Sequence, residues 1–194
     1  SDLIISPAVM AGASGPGTVA GTMALHNAEV LAGVTIAQLV NPGTPVAYGL
    51  ETSNTDIRYG TFSIGSPEGA LFVSLAGQMA RFYDVPSRAG GALTDAKTVG
   101  DQSGSEAMLQ LFTTMASGID FISHGVGILD SYSTVSPEKF VLDAERLRYL
   151  NRFHEGFELS EETFALDLIE EVEPAGHFLN KRHTLDHAQQ EFII

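Results

Sequence analysis

Four short apolar segments begin near residues 3, 45, 86 and 119, and each leads through a glycine-bearing polar loop into a stretch of helical length. Strands separated in this way, with a helix in every gap, imply right-handed crossovers and a parallel sheet. The first strand is Leu3-Ile4-Ile5 or the nearby Ala8-Val9-Met10, followed by the loop Ala11 to Gly15. A long helix is expected from about Pro16 to Leu39, with Pro16 in its first turn and Asn41-Pro42-Gly43 as its stop. Its apolar positions Val19, Met23, Leu31, Val34 and Leu39 are interleaved with Ala and Gly, which permits close packing on a sheet. His26, like His154, is expected to face outward from its helix.

The second strand is Pro45 to Leu50, and a long polar loop runs from Glu51 to Gly65. Ser66-Pro67-Glu68 then supplies an N-cap, a proline at the first helical position and an acid in the first turn, opening a helix to about Tyr83. The third strand runs from near Pro86 to Gly90-Gly91. It is followed by the polar groups Thr94, Asp95, Lys97, Asp101 and Gln102. Ser103-x-x-Glu106 reads as a capping box at the head of the next helix, which covers about Ser105 to Ser117. The fourth strand, Ile119 to Ser123, ends at His124-Gly125-Val126-Gly127, and Ser136-Pro137-Glu138 opens a helix to about Phe153. Beyond it, Ser160 to Val172 reads as one acidic amphipathic helix, broken by Pro174-Ala175-Gly176. His177 to Ile194 is a looser segment ending in a short helix. Strand, glycine-rich polar loop and capped helix form the unit from which α/β enzymes build sites at strand C-termini.

Composition narrows the function classes. The chain has 194 residues, suits a single domain and is 44% hydrophobic, which argues against disorder. The net charge of −14 would repel a phosphate backbone and argues against nucleic acid. No apolar run is expected to reach the roughly 18 residues of a membrane span. The first residues carry no basic n-region, so no signal peptide is expected. The absence of cysteine removes disulfides, thiolate catalysis and cysteine-ligated zinc, and fits a cytoplasmic setting. His177, His183 and His187 lack the spacing of zinc helices, so no metal site is expected. No phosphate-binding glycine motif stands between a strand and a helix.

Several stretches taken in order carry a resemblance. They are Gly12-Ala13-Ser14-Gly15-Pro16, Asn27 to Gly33 with Gln38 to Gly43, Gly65 to Glu68, Thr94 to Lys97 with Asp101-Gln102, Lys139 to Glu145, and Gly176 to Leu179. Together they resemble the trimethylamine methyltransferase family, which also contains glycine betaine methyltransferases. The resemblance implies a (β/α)8 TIM barrel. It also implies transfer of a methyl group from a methylated amine to the cobalt of a corrinoid (cobalamin) carried by a partner protein, with none bound tightly by this chain. It further implies that the chain corresponds to the C-terminal half of a family member, since a full barrel needs roughly 250 residues and eight strands. A half barrel leaves two open parallel edges. It is therefore expected to be completed by a second copy, by another chain, or by the rest of a longer protein. The archaeal trimethylamine enzymes of the family carry pyrrolysine in the barrel. The standard residues here favour a quaternary amine such as a betaine.

A quaternary ammonium has no lone pair and no N–H, so it is held by aromatic faces and a nearby carboxylate. Tyr48 and Glu51 are candidates for cage wall and counter-charge, with a core aromatic and a solvated acid as the plainer readings. Tyr59 and Phe62, in the long loop, are placed to close over a ligand or simply to pack. Asp95 is a candidate for the cationic group and Lys97 for a substrate carboxylate. Thr94 stands beside them, and a local loop network is the alternative for all three. Asp101 and Gln102 read as loop-orienting residues. His124, at a strand mouth, is a candidate for contact with substrate or corrinoid. Two other readings stay open: a TIM-barrel lyase or aldolase with Lys97 as a Schiff-base amine, and a non-catalytic fragment or assembly subunit.

Overall fold

The computed structural model describes residues 2–172 and 174–192. In chain order the elements are β1 (Leu3–Ile5), β2 (Met10–Ala11), α1 (Val19–Val40), β3 (Val46–Gly49), β4 (Ser53–Asp56), β5 (Thr61–Ser63), α2 (Pro67–Tyr83), β6 (Ser87–Gly90), α3 (Asp101–Ala116), β7 (Phe121–Ser123), β8 (Ile128–Leu129), β9 (Thr134–Val135), α4 (Pro137–Glu155), α5 (Glu161–Phe164), α6 (Leu166–Glu171) and α7 (Arg182–Glu191). The chain divides into two compact units, Ser1–Leu147 and Arg148–Ile194.

In the first unit, β1, β3, β6 and β7 form one parallel sheet in that order, with Ile5 beside Tyr48, Tyr48 beside Ser87 and Arg88 beside Phe121. Of the two segments proposed for the first strand, Leu3–Ile5 joins the main sheet; Ala8-Val9-Met10 is strand only at Met10, where the two-residue Met10–Ala11 joins a smaller sheet with β4 and β5. The expected polar loop after β3 is therefore partly a hairpin. Successive side chains on a strand point to opposite faces. Tyr48 and Ala89 share a core with Met23 and Val30 of α1 and Phe72, Val73, Ala76 and Ala80 of α2. Helix α2 packs against both α1 and α3. The alternate residues Ile4, Arg88 and Phe121 lie on the sheet face away from this core, where Ile4 is 48% and Phe121 56% exposed. The sheet does not close among the described residues: β1 and β7 each pair on one side only.

Helix α1 begins three residues later than its proline suggests. The Gly12–Gly15 turn, closed by the Ala13 and Gly15 N–H groups donating to the Met10 carbonyl, holds Pro16 outside the helix. Thr18 caps it by accepting from the Gly21 N–H, and the Thr22 hydroxyl donates to the Pro16 carbonyl at 2.6 Å. The buried stripe runs Thr22, Met23, His26, Val30 and Ala37, so Leu31 and Leu39 lie outside it. His26 thus points inward, not outward. Its helical spacing from Thr22 and Val30 puts it on the core face, where its Nδ1 lies 2.7 Å from the Thr52 hydroxyl and its ring tilts against Tyr48 at 5.5 Å. His154 is exposed. With 22 residues, α1 is also long and apolar enough to cross a membrane by length and composition, contrary to expectation; Ala, Val and Leu outweigh its few polar groups. Here it packs on β1, β3 and α2. A Cβ at Gly33 would stand 2.6 Å from the Ile5 Cγ2, so this glycine sets the closeness of α1 to β1.

Helix α2 begins as its sequence predicts, with Ser66 as N-cap and Pro67 in the first turn. Helix α3 does not. It starts at Asp101, and the Ser103 hydroxyl accepts the Gly100 N–H at 2.9 Å from inside the first turn. Glu106 is unavailable as the second half of a capping box because its carboxylate is engaged by the preceding loop. The expected helix from Ser160 to Val172 is split at Ala165, whose φ of 50° closes the first turn and separates α5 from α6. Within the second unit, Arg152 pairs with Glu191 at 2.9 Å, and His187 lies 3.3 Å from Glu162. His183 stacks beside His187 with ring centroids 4.3 Å apart. The short terminal helix is α7; Ile193 and Ile194, the end of the segment expected there, lie outside the described residues.

Two outcomes follow from this packing. Gly33→Val drives two γ-methyls into Ile5 and lowers stability by about 1–3 kcal/mol, read as a fall in thermal midpoint. Burial pulls the His26 imidazole from 6.5 down to about 4, so the unfolded chain takes up its proton at higher pH than the folded one. Stability is therefore full above the unfolded value and falls as pH drops through the folded one, by at most about 3 kcal/mol. Denaturation at pH 7 and pH 4.5 should show that loss in the native chain and a smaller one in His26→Gln.

Candidate functional site

The loops that follow β3, β6 and β7 meet at the C-terminal ends of the strands. Glu51 leaves β3 and reaches Arg88 of β6. One of its carboxylate oxygens pairs with the guanidinium, and the other accepts the Tyr132 hydroxyl at 2.7 Å. The Arg88 Nη1 also donates to the Ser6 hydroxyl at 3.2 Å and the Leu50 carbonyl at 3.3 Å. Burial and the Glu51 carboxylate push the Tyr132 phenol far above its usual range, which keeps it a proton donor. The Tyr132 ring meets the His124 ring edge to face, with centroids 5.0 Å apart. His124 itself has a φ of 50°, which swings it off the end of β7.

The position of Tyr132 is set by a run of three left-handed residues, Asp130, Ser131 and Tyr132, with φ of 51°, 49° and 77°. Such angles are costly for residues with a Cβ and persist where surrounding contacts over-determine them. Here the Asp130 N–H donates to the Ala96 carbonyl at 2.9 Å, and the Ser131 N–H donates to the Thr94 carbonyl at 3.1 Å. The Ser131 hydroxyl donates to Asp95 at 2.6 Å. Asp95 also accepts the Ser63 hydroxyl at 2.7 Å and the backbone N–H groups of Ile64 at 2.9 Å and Gly65 at 3.1 Å. Its carboxylate is thus spent on joining three segments of chain. Gly65 is required there: a Cβ would meet the Glu106 carboxylate and the Asp95 backbone nitrogen.

Of the residues singled out from sequence, Glu51, Asp95 and His124 come together at this rim, linked through Ser131 and Tyr132. Thr94 lies fully buried beneath it. Its hydroxyl donates to Glu106 at 2.6 Å, and Glu106 also receives the Asp95 N–H at 2.8 Å. Gln102 donates to the same Glu106, while Asp101 opens α3 at the surface. Tyr48 is 1% exposed and sits in the layer between sheet and helices, stacked on Tyr83 with its hydroxyl on Asn27 at 3.2 Å. Lys97 is 83% exposed and lies 3.4 Å from Asp130. It borders an open polar cleft of about 440 Å³ with Phe62, Asp56 and Asp95. Tyr59 is exposed at the hairpin turn under the Arg58 guanidinium.

Sequence reasoning missed Arg88, Tyr132 and a second buried network. Arg88 had a signal, a lone charge inside a short strand; Tyr132 had none. In the second network Lys139 and Asp143, both fully buried, pair with one another. The Lys139 ammonium donates to the Ala92 carbonyl at 2.8 Å, while Asp143 receives the Gly127 N–H at 2.9 Å and Arg146 at 2.7 Å. Burial lowers the Lys139 pKa, and Asp143 opposes the shift. This network fastens α4 to the loops after β6 and β7.

A family profile described as Trimethylamine methyltransferase (MTTB) matches residues 1–193. Glycine betaine methyltransferase of Desulfitobacterium hafniense (strain Y51) is 48% identical over 190 residues, covering 98% of this chain and 40% of the relative. Trimethylamine methyltransferase of Methanosarcina barkeri (strain Fusaro / DSM 804) is 38% identical over 175 residues, covering 90% and 35%. L-carnitine:corrinoid methyltransferase of Eubacterium limosum is 37% identical over 191 residues, covering 97% and 39%. The chain thus spans well under half the length of these relatives.

Because the Asp95 carboxylate holds four donors, Asp95→Ala leaves them unpaired and lowers stability by on the order of 3 kcal/mol in chemical denaturation. The same substitution frees the Asp130–Tyr132 turn, so hydrogen exchange at the Ser131 N–H should speed up more than at amides of the α2 core.

Proposed function

Since the chain belongs to the trimethylamine methyltransferase family, we propose that it supplies the C-terminal part of a TIM-barrel enzyme moving a methyl group from a methylated amine to a corrinoid protein. The observation that carries this reading is the family match over nearly the whole chain, joined to a polar cluster at the C-terminal ends of a parallel sheet. Active sites of parallel barrels form at that end. The open sheet supports the barrel: its uncovered face carries Ile4 and Phe121 largely exposed, and its edge strands each lack a partner on one side among the described residues. A closed barrel turns such a face into its interior. The chain is completed by the rest of a longer polypeptide, by another chain or by a second copy.

The substrate is trimethylamine or a quaternary amine such as glycine betaine. Its cationic head rests against the edge-to-face pair of Tyr132 and His124, with Glu51 as the adjacent negative group. Tyr132 keeps its proton and orients Glu51, while Asp95 keeps Tyr132 in place through Ser131. The corrinoid supplies the nucleophile that accepts the methyl group. The exposed ring of His124 leaves the mouth of the site accessible, as a cofactor delivered on a second protein requires. The chain's own share of the work is position and charge, and a quaternary substrate needs no general base. A Schiff-base lyase is disfavoured because such a lysine needs a desolvated amine, and Lys97 is largely exposed beside Asp130.

The test uses the full-length protein containing this chain, mixed with a reduced corrinoid acceptor and a panel of methylated amines. Methylation of the acceptor, read by its absorbance change, is expected with at least one amine. Glu51→Gln should lower kcat/KM by roughly tenfold or more, the equivalent of about 1.4 kcal/mol of lost charge interaction. No transfer from any amine in the panel overturns the proposal.

A further inference from the structure

We propose that Arg88 is a specificity-determining residue whose unspent guanidinium edge binds the carboxylate of a zwitterionic quaternary amine, while Glu51, beside it, faces the onium group. This rests on the methyltransfer reading above and names the substrate class for the same site.

Three observations lead to it. First, Arg88 lies on the sheet face away from the helices, beside Gly49 of β3 and Phe121 of β7, and its side chain is 11% exposed. A cation held that far from water is expected to be fully paired. Second, its hydrogen bonds among the described residues all run from Nη1, to Ser6, Leu50 and Glu51. The Nε and Nη2 donors have no partner there. A guanidinium anchored at one nitrogen presents its remaining donors as a planar fork that matches the two oxygens of a carboxylate.

Third, the charges are balanced in a way that selects for a zwitterion. Glu51 is already matched by Arg88, and its second oxygen is held by Tyr132. A simple cation would meet a neutral pair. A ligand bearing both charges meets both members, its anion on the free edge of Arg88 and its cation towards Glu51 and the Tyr132–His124 rings. Because the two protein charges are in contact, the two ligand charges must be close as well. An onium and a carboxylate separated by one methylene fit; a long spacer between them does not.

The experiment measures binding of glycine betaine and of choline, which keeps the trimethylammonium head and lacks the carboxylate, to the full-length protein by calorimetry. The native protein should prefer glycine betaine by roughly tenfold or more. Arg88→Gln should collapse that preference towards unity, by weakening glycine betaine and, with Glu51 no longer matched, by strengthening choline. Arg88→Lys keeps the charge without the fork and should reduce the preference in the same direction; it decides the matter if Arg88→Gln leaves Glu51 unpaired and fails to fold. A native protein without the preference, or variants that retain it, overturns the inference. Methyl transfer from some amine with the preference unchanged in the variants would refute this inference and leave the reaction standing. A preference lost as expected, with no transfer from any amine, would refute the reaction instead.

Discussion

The candidate site depends on one carboxylate that never needs to touch a ligand. Asp95 takes hydrogen bonds from the segment ahead of α2, through Ser63, Ile64 and Gly65, and from the loop after β7, through Ser131. Charge-assisted bonds of this kind are about twice as strong as neutral ones. Together they offset the backbone strain of three consecutive left-handed residues. The strain aims Tyr132 at Glu51, and Glu51 in turn fixes Arg88. Remove the first link and the later ones lose their geometry, although none of them is covalently near it.

A second anchor works from the helix side. Lys139 and Asp143 are both withdrawn from water, which is costly for isolated charges and tolerable only when every donor and acceptor is used. Beyond their own pair, the two side chains also bond the Ala92 carbonyl, the Gly127 N–H and Arg146. Helix α4 therefore supports the rim through polar contacts to two loops. The apolar core of β3, β6, α1 and α2 lies elsewhere and gives the sheet its stiffness.

Much of the framework could be read from residue order. The four parallel strands, the helices between them and the Ser66–Pro67 helix start follow from spacing, period and capping, which are local properties. The failures have a common cause: long-range partners claimed residues that local rules assigned elsewhere. Glu106 fits a capping box until Thr94 and Asp95 take its carboxylate. His26 looks like a surface residue until the register of α1 turns it to Thr52 and Tyr48. Pro16 fits a first helical turn until the Gly12–Gly15 turn holds it back. At the site, Glu51, Asp95 and His124 were marked by position after strands. Tyr132 could not be, since its placement depends on an unusual backbone run held by contacts from distant segments. Thr94 and Tyr48 were marked by the same positional logic and prove to be buried and fully engaged.

The apolar face of α1 that the sheet leaves uncovered has a bearing on how this piece of chain would behave in isolation. Ile36, Leu39 and Val40 are mostly exposed, close to the open groove formed with Leu3 and Ile5. A bare parallel edge beside such a stripe is a template for whatever extended or helical segment arrives first. Self-association of the segment on its own would therefore rise with concentration, and the β1 flank, where a bare edge and an apolar stripe lie together, offers it a starting point.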